Sequence, residues 1–288
     1  MSRLGERTPE SVAELLELAR EHLDREHPGA SDAPAPVARS VFAVQHGTRL
    51  AAETELYRNQ YILVRVEGAF GGCAVEAREL TPEIPELSGL PVRELLAHPC
   101  LPVRVAVLDA WLASRAPHSE DPRARRVPLP PGTPDERARA RDSAVADLLS
   151  VSPGQRIALI GVVNPLVAAL RARGAEVLPC DLALRETLWG DPVSRDMEDV
   201  LAVADGVLAT GMTIGNGTFD RIRNRCLERG VPLGLYAQSA PAVAREFLGH
   251  GVTALSAEPF PFSQFSAEQT HLHVYGGPGG AGAGEPAR

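Results

Sequence analysis

Three glycines fall within seven positions in "TGMTIGNGT" (210–218), between a short apolar strand pattern and a helix pattern. A glycine-rich turn of this kind exposes backbone N–H groups, and the start of the following helix adds positive potential. The chemistry this suggests is the holding of a carboxylate, a phosphate or a similar anion. Thr210, Gly211 and Thr213 open the turn, and Gly215, Asn216 and Gly217 permit tight or left-handed backbone. Thr218 or Asn216 can cap the helix that follows. The next strand-to-helix turn, "YAQSAPAVA", brings Tyr236, Gln238 and Ser239 to the same crevice if the two strands are neighbours. Ser239 lacks a G-x-S-x-G setting, so its reading is a ligand hydrogen bond rather than a hydrolase nucleophile.

A dinucleotide-binding fold would carry G-x-G-x-x-G at an earlier turn, but "LIGVVNPLVAAL" offers only Gly161, with Asn164 as a helix cap and Pro165 in the first turn. Conventional NAD use is not expected. Asp181 ends the next strand twenty residues after Gly161, where an acid binds ribose hydroxyls. An adenosyl ligand without a diphosphate, such as S-adenosylmethionine, fits that offset. His271 and His273 form an H-x-H pair able to chelate a divalent metal weakly. The polar stretch with His46, Glu53, Glu55, Tyr57 and Arg58 faces the inter-domain cleft or forms a solvated hairpin loop.

Composition removes several alternatives. Lysine does not occur, and all 29 basic residues are arginine. A Schiff-base lysine for PLP chemistry and the lysine of a P-loop are therefore both missing. The net charge of −8 offers no basic field for nucleic acid. The four cysteines are scattered without a CxxC pair, which suits reduced thiols in a cytoplasmic protein. No apolar run approaches a membrane span. A homodimer is the expected assembly for a chain of this size.

These residues need elements to position them. Residues 8–25 read as a helix capped by Thr8, with Val12, Leu15, Leu16, Ala19 and Leu23 on one face. Strands are expected at 40–47, 60–68 and 71–80, and helices at 91–99 and 102–114, giving a small α+β domain over 1–115. The Pro/Arg-rich stretch 116–143 reads as an exposed connector. From about 144, short continuous apolar strands alternate with helices, the grammar of a parallel sheet covered on both faces, over 144–262. The fold class is α/β: the small domain followed by a Rossmann-like parallel-sheet domain. Residues 263–288 read as a largely flexible tail.

With these pieces placed, the chain resembles the putative heavy-metal chelation family. The likeness rests on "ADGVLATGMTIGNGTFDRI" (204–222) and "YAQSAPAVAREFLGHGVTALSA" (236–257). It extends to "VRVAVLDAWLA" (103–113), where Asp109-Ala110 stands in place of the family's usual Asn-Ala. Ala237-Gln238 replaces a frequent Gly-Pro before Ser-Ala, adding a side chain to the pocket. The resemblance implies an enolase N-terminal-like domain before a Rossmann-like one, with a small-molecule or metal-chelate site at their junction. It supplies no reaction. The expected ligand is a small anionic metabolite or its metal chelate, with an S-adenosylmethionine- or metal-dependent biosynthetic enzyme as the alternative.

Overall fold

The computed structural model describes residues 7–27, 34–49, 56–76 and 79–277. Helix α1 (Val12–Glu26) buries the five apolar residues of its stripe, but its cap is Ser11, whose hydroxyl accepts from the Glu14 N–H, rather than Thr8. Strands β1 (Ala38–Thr48), β2 (Tyr57–Val66) and β3 (Ala69–Ala74) form an antiparallel sheet in that order. Strand β2 is buried on both faces. Ile62, Val64 and Val66 join the main core, while Tyr61 and Leu63 pack against Phe262. After the short helix α2 (Val92–Leu95) comes α3 (Leu101–Arg115), which is apolar almost all round and accordingly almost wholly buried. A Cβ at Gly71 would lie 2.6 Å from the Ala106 carbonyl oxygen, so β3 rests directly on the α3 backbone.

The rest of the described chain runs β4 (Arg125–Leu129), α4 (Pro134–Ala146), β5 (Arg156–Ile160), α5 (Asn164–Ala172), β6 (Glu176–Cys180), α6 (Met197–Leu201) and β7 (Gly206–Thr210). It continues with α7 (Met212–Gly215), α8 (Phe219–Arg229), β8 (Leu233–Ala237), α9 (Pro241–Arg245), β9 (Ala254–Ala257) and β10 (Thr270–Gly276). Seven strands form one sheet in the order β4-β10-β9-β8-β7-β5-β6. Strands β5 to β9 are parallel, and β10 runs antiparallel to both β9 and β4. The chain leaves β5 for β6 on one side and returns to β7 on the other, so the topological switch point lies between β5 and β7. One apolar cluster runs from α1, β2 and α3 through to β7, β8 and α9, so the two sheets share a core.

Two expectations fail here. The stretch 116–143 is not an exposed connector: β4 pairs with β10, and α4 starts inside it with a Thr133–Glu136 capping box and Pro134 in the first turn. The helix expected from 144 is the end of α4, which stops at Ala146. Residues 270–276 are likewise a sheet strand rather than tail, while 278–288 lie outside the described residues. Buried Arg137 locks α4 onto the following segment, donating to the carbonyls of Ser263 (3.1 Å) and Glu268 (2.6 Å) and to the Thr270 hydroxyl (2.7 Å). No helix among the described residues is long and apolar enough to cross a membrane.

Candidate functional site

Strand β7 ends at Thr210 and turns at once into α7. The Thr213 hydroxyl donates to the Thr210 carbonyl (2.7 Å), the Gly211 N–H donates to the Tyr236 carbonyl (2.9 Å), and Thr213, Ile214 and Gly215 are buried. A Cβ on Gly211 would run into the Ser239 carbonyl oxygen, and one on Gly215 into the Cys73 thiol and, at 3.2 Å, the Ala74 carbonyl oxygen. These two glycines serve close packing against the β8–α9 turn and the three-stranded sheet. Gly217, at φ 78°, makes the left-handed turn. The Asn216 Oδ1 accepts from the N–H (3.1 Å) and hydroxyl (2.7 Å) of Thr218, and neither side chain caps α8. Only Asn216 and Gly217 are exposed. The turn read as an anion cradle is, through most of its length, a packing element.

The switch point is filled by the protein itself. Gly161 sits at φ 85°, where a Cβ would meet the Thr210 side chain and lie 2.9 Å from the Tyr236 hydroxyl. That hydroxyl donates to the Gly161 carbonyl, and burial, with the charges of Asp142 and Asp181, pushes its pKa above the usual tyrosine range. Asp181 is close by, but its Oδ2 accepts from the Val162 N–H (2.9 Å) and its Oδ1 from the N–H groups of Ala183 (2.8 Å) and Leu184 (3.1 Å). Ribose hydroxyls would have to displace those amides. Asn164 is the first residue of α5 rather than its cap, which is Val163, and its Oδ1 accepts from the Leu188 N–H (2.9 Å).

Across the junction with the small sheet, Ser239 Oγ accepts from the Ala74 N–H (2.9 Å), and the Ala240 N–H donates to the Gly72 carbonyl (2.7 Å). Ala240 holds φ 55° there, a left-handed conformation without a glycine. Asp109, buried in α3, completes the clasp: Oδ2 accepts from the Gly72 N–H (2.9 Å), and Oδ1 from those of Ala242 (2.7 Å) and Val243 (3.3 Å). Burial outweighs these donors and raises its pKa to about 7.

Gln238 differs from its neighbours. Its Oε1 accepts from the Tyr61 hydroxyl (3.3 Å) and Gln264 Nε2 (3.1 Å), and its Nε2 donates to Glu258 Oε2 (2.9 Å) and Gln264 Oε1 (2.8 Å). It thereby joins β2, the end of β9 and the segment held by Arg137. Into the same corner α4 brings Arg141 and Asp142, neither of which the sequence reading singled out. Arg141 Nε donates to Asp142 Oδ1 (2.8 Å), leaving its Nη1 and Nη2 without a hydrogen-bond partner among the described residues, and its side chain is 22% exposed. Burial works against its charge, but Asp142 and Glu258 hold it protonated. The same charge acts on the hydroxyls of Tyr61 and Tyr236. Asp142 is fully buried, its Oδ2 has no partner, and burial raises its pKa. His46 stacks on Tyr61 at 6.0 Å and meets Phe265 edge-on at 5.1 Å; burial lowers its pKa, so the ring is neutral at pH 7. Arg58 is exposed on β2, while Glu53, Glu55 and the side chain of Tyr57 lie outside the described residues.

Metal donors are not assembled. His271 lies beside Arg126 (Nη2 to Nδ1, 3.4 Å), and His273 is buried against His118 at 5.9 Å between ring centres. Burial, with Arg126 and His271, lowers the His273 pKa. Burial pushes the thiol of Cys73 above its usual range, that of Cys180 up to about 11 and that of Cys226 up to about 12, so none is a ready thiolate. Among the described residues no group of three or more His, Cys, Asp or Glu side chains is arranged to hold a metal ion. Direct chelation of a bare metal does not fit these residues. Two surface depressions lie elsewhere: one of about 470 Å³ around Glu198, Arg221 and Arg225, and one of about 290 Å³ around Arg7, Glu14 and Arg104. At the first, Arg221 is paired with Glu198, and at the second, Arg7 is paired with Glu14.

Residues 144–258 match the model of the DUF364 family, described as putative heavy-metal chelation. A protein of unknown function from that family in Desulfitobacterium hafniense aligns over 88% of this chain and 97% of its own, at 14% identity and a TM-score of 0.53. A second, from Pyrococcus horikoshii, aligns over 92% of this chain and 99% of its own, at 15% identity and a TM-score of 0.55. At such identities the likeness shows the fold alone. No curated protein matches the chain.

Proposed function

Proceeding from residues 144–258 as a domain of the putative heavy-metal chelation family, we propose that the protein binds a small organic anion, alone or as its metal complex. The site is the corner between the three-stranded sheet and the carboxyl ends of β8 and β9. The observation that carries this reading is Arg141, whose two terminal nitrogens are unpartnered beside the Gln238–Glu258–Gln264–Tyr61 network. A guanidinium that pairs with Asp142 through Nε alone keeps its two terminal nitrogens for a planar anion, and amides that now bond one another can turn to a ligand. In this reading Gln238 meets the ligand from the end of β8, whereas Gly211, Gly215 and Ser239 support the corner from behind. A metal would enter as cargo already held by the anion, since the described residues offer no donor set of their own.

Native mass spectrometry of the protein as purified, with thermal-shift measurements against citrate, benzoate, phosphate, and zinc and nickel chlorides, tests the proposal. An organic anion that co-purifies or raises the melting temperature in wild type, and does so less in Gln238→Ala, supports it. Stabilisation by the metal chlorides alone, with no effect of any organic anion, overturns it.

A further inference from the structure

Resting on that reading, we infer that the ligand is an aromatic monocarboxylate, its carboxylate gripped by Arg141 and its ring laid against the partly exposed His46 and Phe265, which the buried Tyr61 and Phe262 support from behind. The charge around Arg141 sets the first half of this inference. Asp142 and Glu258 both stand close enough to act on the guanidinium, so the corner carries no surplus of positive charge. These two acids oppose any anion, and a polyanion such as phosphate more strongly than a monoanion. A monoanion whose two oxygens lie in one plane matches the open fork.

The aromatic residues set the second half. The chain holds seven phenylalanines, and five of them (Phe42, Phe70, Phe260, Phe262 and Phe265) are linked ring to ring in this region. Tyr61 connects that cluster to the polar corner: its ring packs on Phe262 at 5.0 Å, while its hydroxyl donates to Gln238. Phe265, next to Gln264, is 39% exposed. His46 adds a further ring face against Tyr61, and its Nε2 is buried without a partner. Ring faces beside a guanidinium fork form the two ends of a site for a flat, singly charged acid, since aromatic pairs gain beyond their buried area. Helix α4 supplies the cation because Arg137, one turn earlier, fixes it to Ser263.

Calorimetric titration of the full chain with benzoate, picolinate, acetate, citrate and phosphate tests this, using wild type, Arg141→Lys and Phe265→Ala. Lysine keeps a charge for Asp142 but loses the fork, so Arg141→Lys should keep the wild-type melting temperature. Phe265→Ala loses ring contacts with His46, Phe260 and Phe262 and should melt lower, so affinities are compared where every variant is folded. The expected result is that benzoate or picolinate binds wild type at least about tenfold more tightly than acetate or phosphate, that Arg141→Lys loses about tenfold in benzoate affinity, and that Phe265→Ala weakens benzoate but not acetate. Benzoate binding unchanged in Arg141→Lys, or phosphate binding more tightly than benzoate, overturns the inference. If citrate binds and aromatic acids do not, this inference falls while the proposed function stands. If no organic anion binds, both fall.

Discussion

Two turns at the same end of the parallel sheet, one after β7 and one after β8, use their residues in opposite ways. The turn after β7 is dense in glycine, and its backbone is pressed against Cys73, Ala74 and Ser239. The turn after β8 has no glycine, yet it places Gln238 beside Glu258, Gln264 and the open fork of Arg141. Glycine marks where backbone must come close to something, and here that something is a second sheet. The side chain with unused hydrogen-bond capacity at the proposed corner is Arg141 on α4, beside the turn that has no glycine.

Substitutions test this contrast. Gly211→Val has the largest expected effect, because its new Cβ meets a backbone carbonyl that cannot move aside; a loss of about 3 kcal/mol or more is expected in denaturant unfolding. Gly215→Val, against the Cys73 side chain, should cost about 1–3 kcal/mol. If either glycine instead belonged to an anion cradle, stability would hold and only ligand binding would be lost.

Asp109 gives the next effect, read through pH. Its pKa rises from 3.8 to about 7 in the folded chain, so between those values the folded state binds more protons than the unfolded one. Stability contributed by this group therefore falls as pH rises from about 4 to about 7 and is level above that. Melting temperatures across that range should decline less steeply in Asp109→Asn. Gln238→Ala should cost about 1 kcal/mol of stability while clearly weakening anion binding, by thermal shift and titration. Asn216→Ala, at the exposed end of the glycine turn, should change stability by no more than about 0.5 kcal/mol.

The alternation of apolar strands and helices over 156–257 was legible because β5, β7, β8 and β9 are short, mostly apolar runs buried on both faces, with only the edge strand β6 partly exposed. Helix α3 was legible for the same reason. Helix α4 was not, because the residues it buries include Arg137 and Asp142, which are accommodated by polar contacts instead of an apolar stripe. Its one local signal is the Thr133–Glu136 capping box. Strand β10 was missed because "THLHVYG" gains its strand character from partners distant in sequence, and β4 is more than a hundred residues away. At the candidate site, Gln238 and Tyr236 could be placed from strand-end position, but Arg141 lies on the unread helix. Asp181 stands at the right offset for a ribose, yet local amides occupy it, a fact that spacing cannot convey.

The pairing of β4 with β10 also imposes an order of assembly during synthesis. Strand β4 is made before the whole parallel sheet, but among the described residues its strand partner is β10, the last of the described strands to be made. At roughly 5–20 residues per second, the intervening chain takes on the order of ten seconds to emerge. Throughout that interval β4 lacks its strand partner, and from the emergence of β9 until β10 follows, β9 presents an open sheet edge, the state in which strand edges recruit other chains. A nascent chain halted short of Thr270 therefore leaves the β9 edge open to other chains, and completion of one seven-residue strand covers it and gives β4 its partner at once.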